Sequence, residues 1–259
     1  MPRILTAMPS QGPDLKTMEL ARQSVTLVRP GRKSAVFSGA GAAIFALLLP
    51  VFLILFNVSY VTNSEWLYDY GWWRNDIANR TGLSVEELNN GADQIKEYFG
   101  NDAEFLDLRV NFGGSEVSLY KEREILHMVD VKALMQGVFS TTRWSGIALL
   151  VLLVAGAFTL KRDAAPLLLR SLRWSAIGTG VFLVVFGATA AINFGWLFTQ
   201  FHFLSFANDL WLLDPYRDFL IIMFPQRFFF EAAMFIGVLT VIDFALLFGA
   251  ARFARKRLG

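Results

Sequence analysis

The feature that confines this chain most is the spacing of its charges. Between Lys33 and Glu65 run 31 residues without a charged side chain, between Arg143 and Lys161 run 17, and between Arg173 and Asp209 run 35. Crossing a hydrocarbon core of about 30 Å takes about 20 apolar residues at 1.5 Å each. A fourth apolar stretch, Phe228 to Ala251, is interrupted by Glu231 and Asp243. The windows predict a mainly α polytopic membrane protein with four transmembrane helices, over 35–57, 144–160, 174–196 and 228–251. Composition points the same way: 54% of residues are hydrophobic and only 18% charged, with a mean hydropathy of +0.44. A soluble domain of this length would carry more polar surface.

Orientation follows from the basic residues beside the spans, because short cytoplasmic loops are enriched in Lys and Arg. Arg29, Arg32 and Lys33 precede the first span, Lys161, Arg162, Arg170 and Arg173 lie between the second and third, and Arg252, Arg255, Lys256 and Arg257 follow the fourth. This places an N-terminal extension (1–34), a middle loop (161–173) and a tail (252–259) in the cytoplasm of a multi-pass cell-membrane protein. The segment 58–143 becomes a small extracytoplasmic domain between helices 1 and 2, and 197–227 a second external loop with a short helix. Within Val58 to Thr142 there are 14 acidic and 7 basic side chains, net −7. The first span is too long for the apolar core of a signal peptide and has no A-x-A site after it, so it is expected to remain as a helix.

The external segments carry their own start and stop signals. Trp66, Tyr68, Tyr70, Trp72 and Trp73 form an aromatic belt suited to the headgroup layer. Ser84-Val-Glu-Glu87 reads as a capping box, Asn89-Asn90-Gly91 as the end of that helix, and Ala92 to Phe99 as another. Asn111-Phe-Gly-Gly114 reads as a turn between short strands, and Leu119 to Gln136 as one amphipathic helix. Asp214-Pro215 reads as an N-cap with proline at the first helical position, starting a helix over Pro215 to Met223.

The chain has no cysteine and 2 histidines, which removes disulfides, thiol nucleophiles and thiolate metal sites and leaves oxygen and imidazole for any chemistry. His127 and His202 both fall on the external side near the expected lipid boundary. Imidazole titrates near neutral pH, so two of them on one side suggest acid and base roles, against the plainer reading of interfacial packing. Arg123, His127, Asp130 and Leu134 share one helical face, which puts a carboxylate within reach of His127. No serine sits in G-x-S-x-G, neither histidine begins H-x-x-x-x-D or H-E-x-x-H, Glu124-x-x-His127 has no second copy, and no glycine-rich phosphate loop occurs. These absences lead to the expectation of a cofactor-independent, metal-free site with no nucleic-acid partner. Asp243 is expected to pair or snorkel among Arg162, Arg173 and Arg252, and Glu231 to pair with Arg227 rather than with Arg143.

Two blocks carry more than local signals. Glu122-Arg-Glu-Ile-Leu-His-Met-Val-Asp-Val-Lys132, preceded by Tyr98-Phe99, is one; Phe201-His-x4-Ala-Asn-Asp-x-Trp-x-Leu-Asp-Pro215 with Asp218-x-Leu-Ile-x-Met-Phe-Pro225 is the other. Together they resemble the small four-helix membrane proteins of the lipoprotein intramolecular transacylase (Lit) family, over about Phe37 to Phe248. The resemblance implies an O-to-N acyl transfer. The sn-2 acyl chain of the diacylglyceryl group on a lipoprotein's N-terminal cysteine would move to the α-amine, giving the lyso form. It implies membrane lipid and the diacylated lipoprotein N-terminus as partners, and it matches the family's two essential histidines to His127 and His202. On that footing His127, oriented by Asp130, is expected as the base, His202 as oxyanion stabiliser or proton donor, and Asn208 as a polar positioner. The rival readings are another acyltransferase or esterase acting on outer-leaflet lipid, and a non-catalytic membrane scaffold or lipid-binding protein.

One geometric expectation follows. A straight helix from Leu119 into the second span would hold His127 about 25 Å above Trp144. The segment Leu119 to Gln136 is therefore expected to bend near Gly137 and lie along the interface, so that both imidazoles face one lipid-filled cleft.

Overall fold

A computed structural model describes residues 32–160 and 164–258. The expected extension up to residue 31, and Lys161 and Arg162 of the middle loop, lie outside them. In chain order the elements are α1 (Arg32–Thr62), α2 (Glu65–Arg74), α3 (Ile77–Thr81), α4 (Val85–Gly100), β1 (Arg109–Phe112), β2 (Ser115–Ser118), α5 (Glu122–Leu160), α6 (Ala164–Ser205), α7 (Phe219–Met223) and α8 (Gln226–Leu258). Four of them, α1, α5, α6 and α8, are long and apolar enough to cross a membrane. Much of their apolar surface faces outward, as at Leu47, Phe158, Val184 and Ile192, which is what lipid rather than water would cover. The chain is a multi-pass, mainly helical membrane protein.

Two apolar cores hold it together. At one end Phe45, Leu49 and Leu53 of α1 meet Leu149 of α5, Leu172 of α6 and Phe244 of α8. At the other, Val61, Leu67 and Trp72 join Leu88, Tyr98 and Leu108 with Met128 and Met135 of α5 and Phe228 of α8. Here α2 to α4 and the hairpin cap the bundle. The hairpin pairs Arg109 with Ser118 and Phe112 with Ser115. Gly113 and Gly114, at φ 63° and 85°, supply the two left-handed positions that a two-residue hairpin turn requires.

Pro50 stands inside α1 and has no N–H for the carbonyl of Ala46. The hydroxyl of Ser175 on α6 donates to that carbonyl at 2.8 Å, so the neighbouring helix replaces the missing bond. Ser175→Ala is expected to lower stability by about 1–3 kcal/mol, the cost of a buried acceptor left without a donor. Ser171→Ala should cost less, since its acceptor, the Ala42 carbonyl at 3.3 Å, keeps its own helical donor. Thermal unfolding of both variants in detergent checks the ranking.

Several sequence expectations change. Glycines did not end helices: α4 runs unbroken through Gly91, and α5 through Gly137. A lone glycine costs a helix only about 1 kcal/mol. A Cβ at Gly91 would stand 3.7 Å from Leu108 and from Met223, ordinary contact, and Asn89 accepts from Trp72 Nε1 at 2.7 Å instead of competing for the backbone. Ser84 does accept from the Glu87 amide, yet Glu87 turns to the hairpin and accepts from the Asn111 amide at 2.8 Å. The helix expected over Pro215 to Met223 spans only Phe219–Met223, because Asp214 accepts from the Tyr216 amide in a local turn. Among the described residues Asp243 meets no arginine; Asn57 donates to it at 2.8 Å and to Thr240 at 3.1 Å, binding α1 to α8 inside the bundle, while Arg162 lies outside those residues.

One helix is interrupted. In α6, Asn193 leaves helical geometry (φ −156°, ψ 81°), and its side-chain oxygen accepts from the Trp196 amide at 2.9 Å. That is the N-cap arrangement. The last residues of α6 are therefore a separately capped helix.

Candidate active site

The helices that carry the histidines are longer than a bilayer. At 1.5 Å per residue α5 and α6 extend about 58 and 63 Å, twice a hydrocarbon core of about 30 Å. His127 sits in the second turn of α5 and His202 in the last turn of α6. The Phe198 ring lies 5.3 Å from that of Phe229, near the start of α8, and His202 is one turn further along. Both histidines thus lie at the same end of the bundle. The structure keeps His127 on one unbroken α5 and carries α6 past Trp196 until His202 reaches it.

The imidazole centroids are 6.1 Å apart with ring planes at 33°. His127 is 5% exposed and His202 7%. Aromatic rings close around them: Phe206 meets His127 edge-on at 5.1 Å, and Phe198, Phe206 and Trp211 approach His202 at 4.3, 5.6 and 4.9 Å. The box follows from spacing, since Phe198 and Phe206 lie one turn either side of His202.

Hydrogen bonds separate the two imidazoles. His202 Nδ1 lies 2.7 Å from the Phe198 carbonyl, which can only accept, so Nδ1 carries the proton and Nε2 presents its lone pair. His127 Nδ1 is buried without a partner, and so is the indole N–H of Trp211. A buried polar atom left unbonded costs about 1–3 kcal/mol. Asp130 accepts from Asn208 Nδ2 at 2.8 Å and makes no hydrogen bond to His127 Nδ1. The expected orienting bond is absent, although the carboxylate still acts on the ring through space.

Burial pushes His127 down to about 4, helped by the neighbouring His202 and opposed by Asp130. Burial also lowers His202, against the bond to the Phe198 carbonyl. Both rings are therefore neutral near pH 7. An unfolded histidine titrates near about 6.5, so the unfolded chain binds the proton first as pH falls, and His127's contribution is lost from pH 6.5 down through 4. The unfolding temperature of the wild type should thus fall more steeply over that window than that of His127→Asn. Parallel slopes would contradict this.

Residues next to the motifs build the lid. Arg123, one turn before His127, donates to the carbonyls of Asp209 and Leu210. Lys121 Nζ meets Asp218 at 2.9 Å. Glu124 is fully buried; one oxygen accepts from the Leu220 amide at 2.6 Å and the other from the Lys121 amide at 2.9 Å, capping α7 and α5 together. Sequence reasoning singled out His127, His202, Asp130 and Asn208 but assigned no site role to Glu124 or Trp211. Their only signal was membership of the same two blocks.

The comparisons with known proteins fall on this architecture. The family model described as lipoprotein intramolecular transacylase Lit matches residues 43–229. An uncharacterized protein of Aquifex aeolicus (strain VF5) is 29% identical over 123 residues, 48% of this chain and 52% of that one, so the chain spans about half the length of this relative. Among solved structures, the membrane integral lipoprotein intramolecular transacylase Lit from Bacillus cereus superposes with a TM-score of 0.73 at 22% identity, covering 87% of this chain and all of that one. A variant of it with a histidine replaced by alanine gives 0.69 at 21% identity over 87% of this chain and 98% of that one. With the family model matching well over half its length, this chain belongs to the lipoprotein intramolecular transacylase Lit family.

Proposed function

We propose that the chain catalyses intramolecular O-to-N acyl transfer on the diacylglyceryl cysteine of a lipoprotein, releasing the lyso form. The observation that carries this is the pair of buried imidazoles 6.1 Å apart, one with a fixed tautomer and the other with an Nδ1 that lacks a partner among the described residues, beside the equally unpartnered N–H of Trp211. Membership of the family supports the reaction class. Access from lipid is supported by the exposed apolar rim at Phe203, Leu204 and Leu212; Leu204 is 89% exposed. The excess of arginine and lysine at the other end of the bundle favours cytoplasmic termini and an extracytoplasmic site.

The substrate amine and the sn-2 ester close a ring of about eight atoms, so holding one conformer supplies much of the rate. The α-amine, with a pKa near about 8, must shed a proton to attack. His202 Nε2 takes it, because its tautomer already presents the lone pair; this reverses the roles expected from the motifs. The N–C bond forms, the carbonyl oxygen gathers charge, and the Trp211 N–H, buried without a partner among the described residues, serves as its donor. The C–O bond then breaks and the proton passes to the departing glyceryl oxygen. His127, through its free Nδ1, holds the substrate ammonium or hydroxyl on the other side of the box. Asp130 and Asn208 steady the loop above it. No cofactor takes part in this scheme.

Expression in a host that makes only diacylated lipoproteins tests the reading. Mass spectrometry of lipoprotein N-terminal peptides should show an N-acyl, S-monoacylglyceryl cysteine. Unchanged diacylglyceryl termini would refute the transfer, and free fatty acid with no N-acylation would favour an esterase.

A further inference from the structure

The face of α8 turned away from the histidines holds a second polar feature. Arg227, Glu231, Phe235 and Val238 fall on one helical stripe, about half a turn from the Phe229 that packs on Phe198. A matching stripe on α2 reads Trp66, Tyr70 and Arg74. The stripes meet level by level. Arg74 Nε lies 3.4 Å and Arg227 Nε 3.0 Å from the same oxygen, Oε1 of Glu231. Below them Tyr70 and Trp66 stand edge-on to Phe235, at 5.3 and 5.1 Å. Trp66 and Val238, further down, are exposed.

Each guanidinium is thus pinned by Nε alone. Its terminal nitrogens have no partner among the described residues, and the side chains are 40% and 50% exposed. Two cations share one carboxylate, leaving a net positive charge. Glu231 Oε2 is buried and bonds to neither arginine. The pair stands at the first turns of α8, with aromatic rings one to two turns further along and the exposed Val238 beyond them. That order of cation, aromatic and aliphatic surface is complementary to a phospholipid: guanidinium forks take phosphate oxygens, amphipathic rings lie at the headgroup boundary, and chains follow the apolar seam.

We propose that Arg74 and Arg227 form a phosphate-binding site for a phospholipid headgroup in the leaflet on the histidine side, preferring anionic lipid. The site is separate from the histidine box and its ligand is not the diacylglyceryl substrate, which has no phosphate. Glu231 is a positioning residue that turns both forks outward.

The test uses the full chain purified in detergent, with native mass spectrometry during titration by phosphatidylglycerol, by diacylglycerol of the same chains, and by inorganic phosphate. Phosphatidylglycerol should bind about tenfold more tightly than diacylglycerol. The double variant Arg74→Gln/Arg227→Gln should abolish that preference, while Arg74→Lys/Arg227→Lys keeps part of it and guards against a folding defect. Equal binding of phosphatidylglycerol and diacylglycerol by the wild type would overturn the proposal. So would full retention of phosphatidylglycerol by the glutamine variant. Displacement of bound lipid by millimolar inorganic phosphate would assign the site to free phosphate instead.

Discussion

Replacing His202 by asparagine is expected to lower lyso-form production by about 10²- to 10⁴-fold, the range that a positioned acid–base group contributes. Asparagine can still donate to the Phe198 carbonyl through its amide, so the last turn of α6 should remain in place. It offers no basic nitrogen at the Nε2 position. His127→Asn is expected to cost about as much, and the double variant little more, because residues acting on one proton path fail as a unit. Trp211→Phe keeps the ring over His202 but removes the N–H, and a loss of one charge-stabilising donor is worth about 10²- to 10³-fold. The measurement is the fraction of N-acylated lipoprotein termini at matched protein levels. Variants that retain most of the wild-type yield would detach the histidines from the chemistry, and loss of folded protein would be visible separately in the unfolding temperature.

The second large effect concerns a residue with no part in proton transfer. Glu124 is buried, yet both of its oxygens are occupied by backbone amides, from Lys121 at the start of α5 and from Leu220 in α7, which lies 96 residues from Glu124 in sequence. Glu124→Leu leaves two buried N–H groups unbonded at about 1–3 kcal/mol each, so a loss of about 3 kcal/mol is expected. Glu124→Gln turns one acceptor into a donor facing a donor and should cost roughly half as much. Because α7 follows the loop that carries Asn208 and Trp211, the loss of stability should be accompanied by reduced acyl transfer. An unfolding temperature for Glu124→Leu equal to that of the wild type would show that the double cap holds nothing.

The bundle was legible because the bilayer is an unforgiving solvent: a charge in a span is costly, so windows free of Asp, Glu, Lys and Arg mark the crossings directly. The hairpin was legible because Gly113-Gly114 can supply two positive φ angles where other residues resist. The histidines stood out because they are the chain's only imidazoles and lie within its two recognisable blocks. What stayed hidden depends on tertiary neighbours. Gly91 and Gly137 looked like stops because local preference disfavours glycine in helices, and packing overrides a preference of about 1 kcal/mol. Asp130 looked like the partner of His127 because they share a helical face, but Asn208, 78 residues away, claims the carboxylate. Asp243 likewise had Asn57 as its partner, from a helix at the other end of the chain. No periodicity encodes such pairings.

The interruption at Asn193 has a mechanical consequence. The terminal piece of α6 leaves helical geometry at Asn193 and is held there by its own side-chain cap, by Phe194 and Phe198 against Phe230 and Phe229, and by His202 against Trp211. His202 rides on that piece as on a lever arm of about 14 Å, nine residues from its pivot. A rotation of about 4° therefore carries the imidazole about 1 Å, the distance over which reacting geometry is made or lost. Compliance is concentrated at one joint, and the rest of the bundle can stay rigid while the distance between the two imidazoles changes.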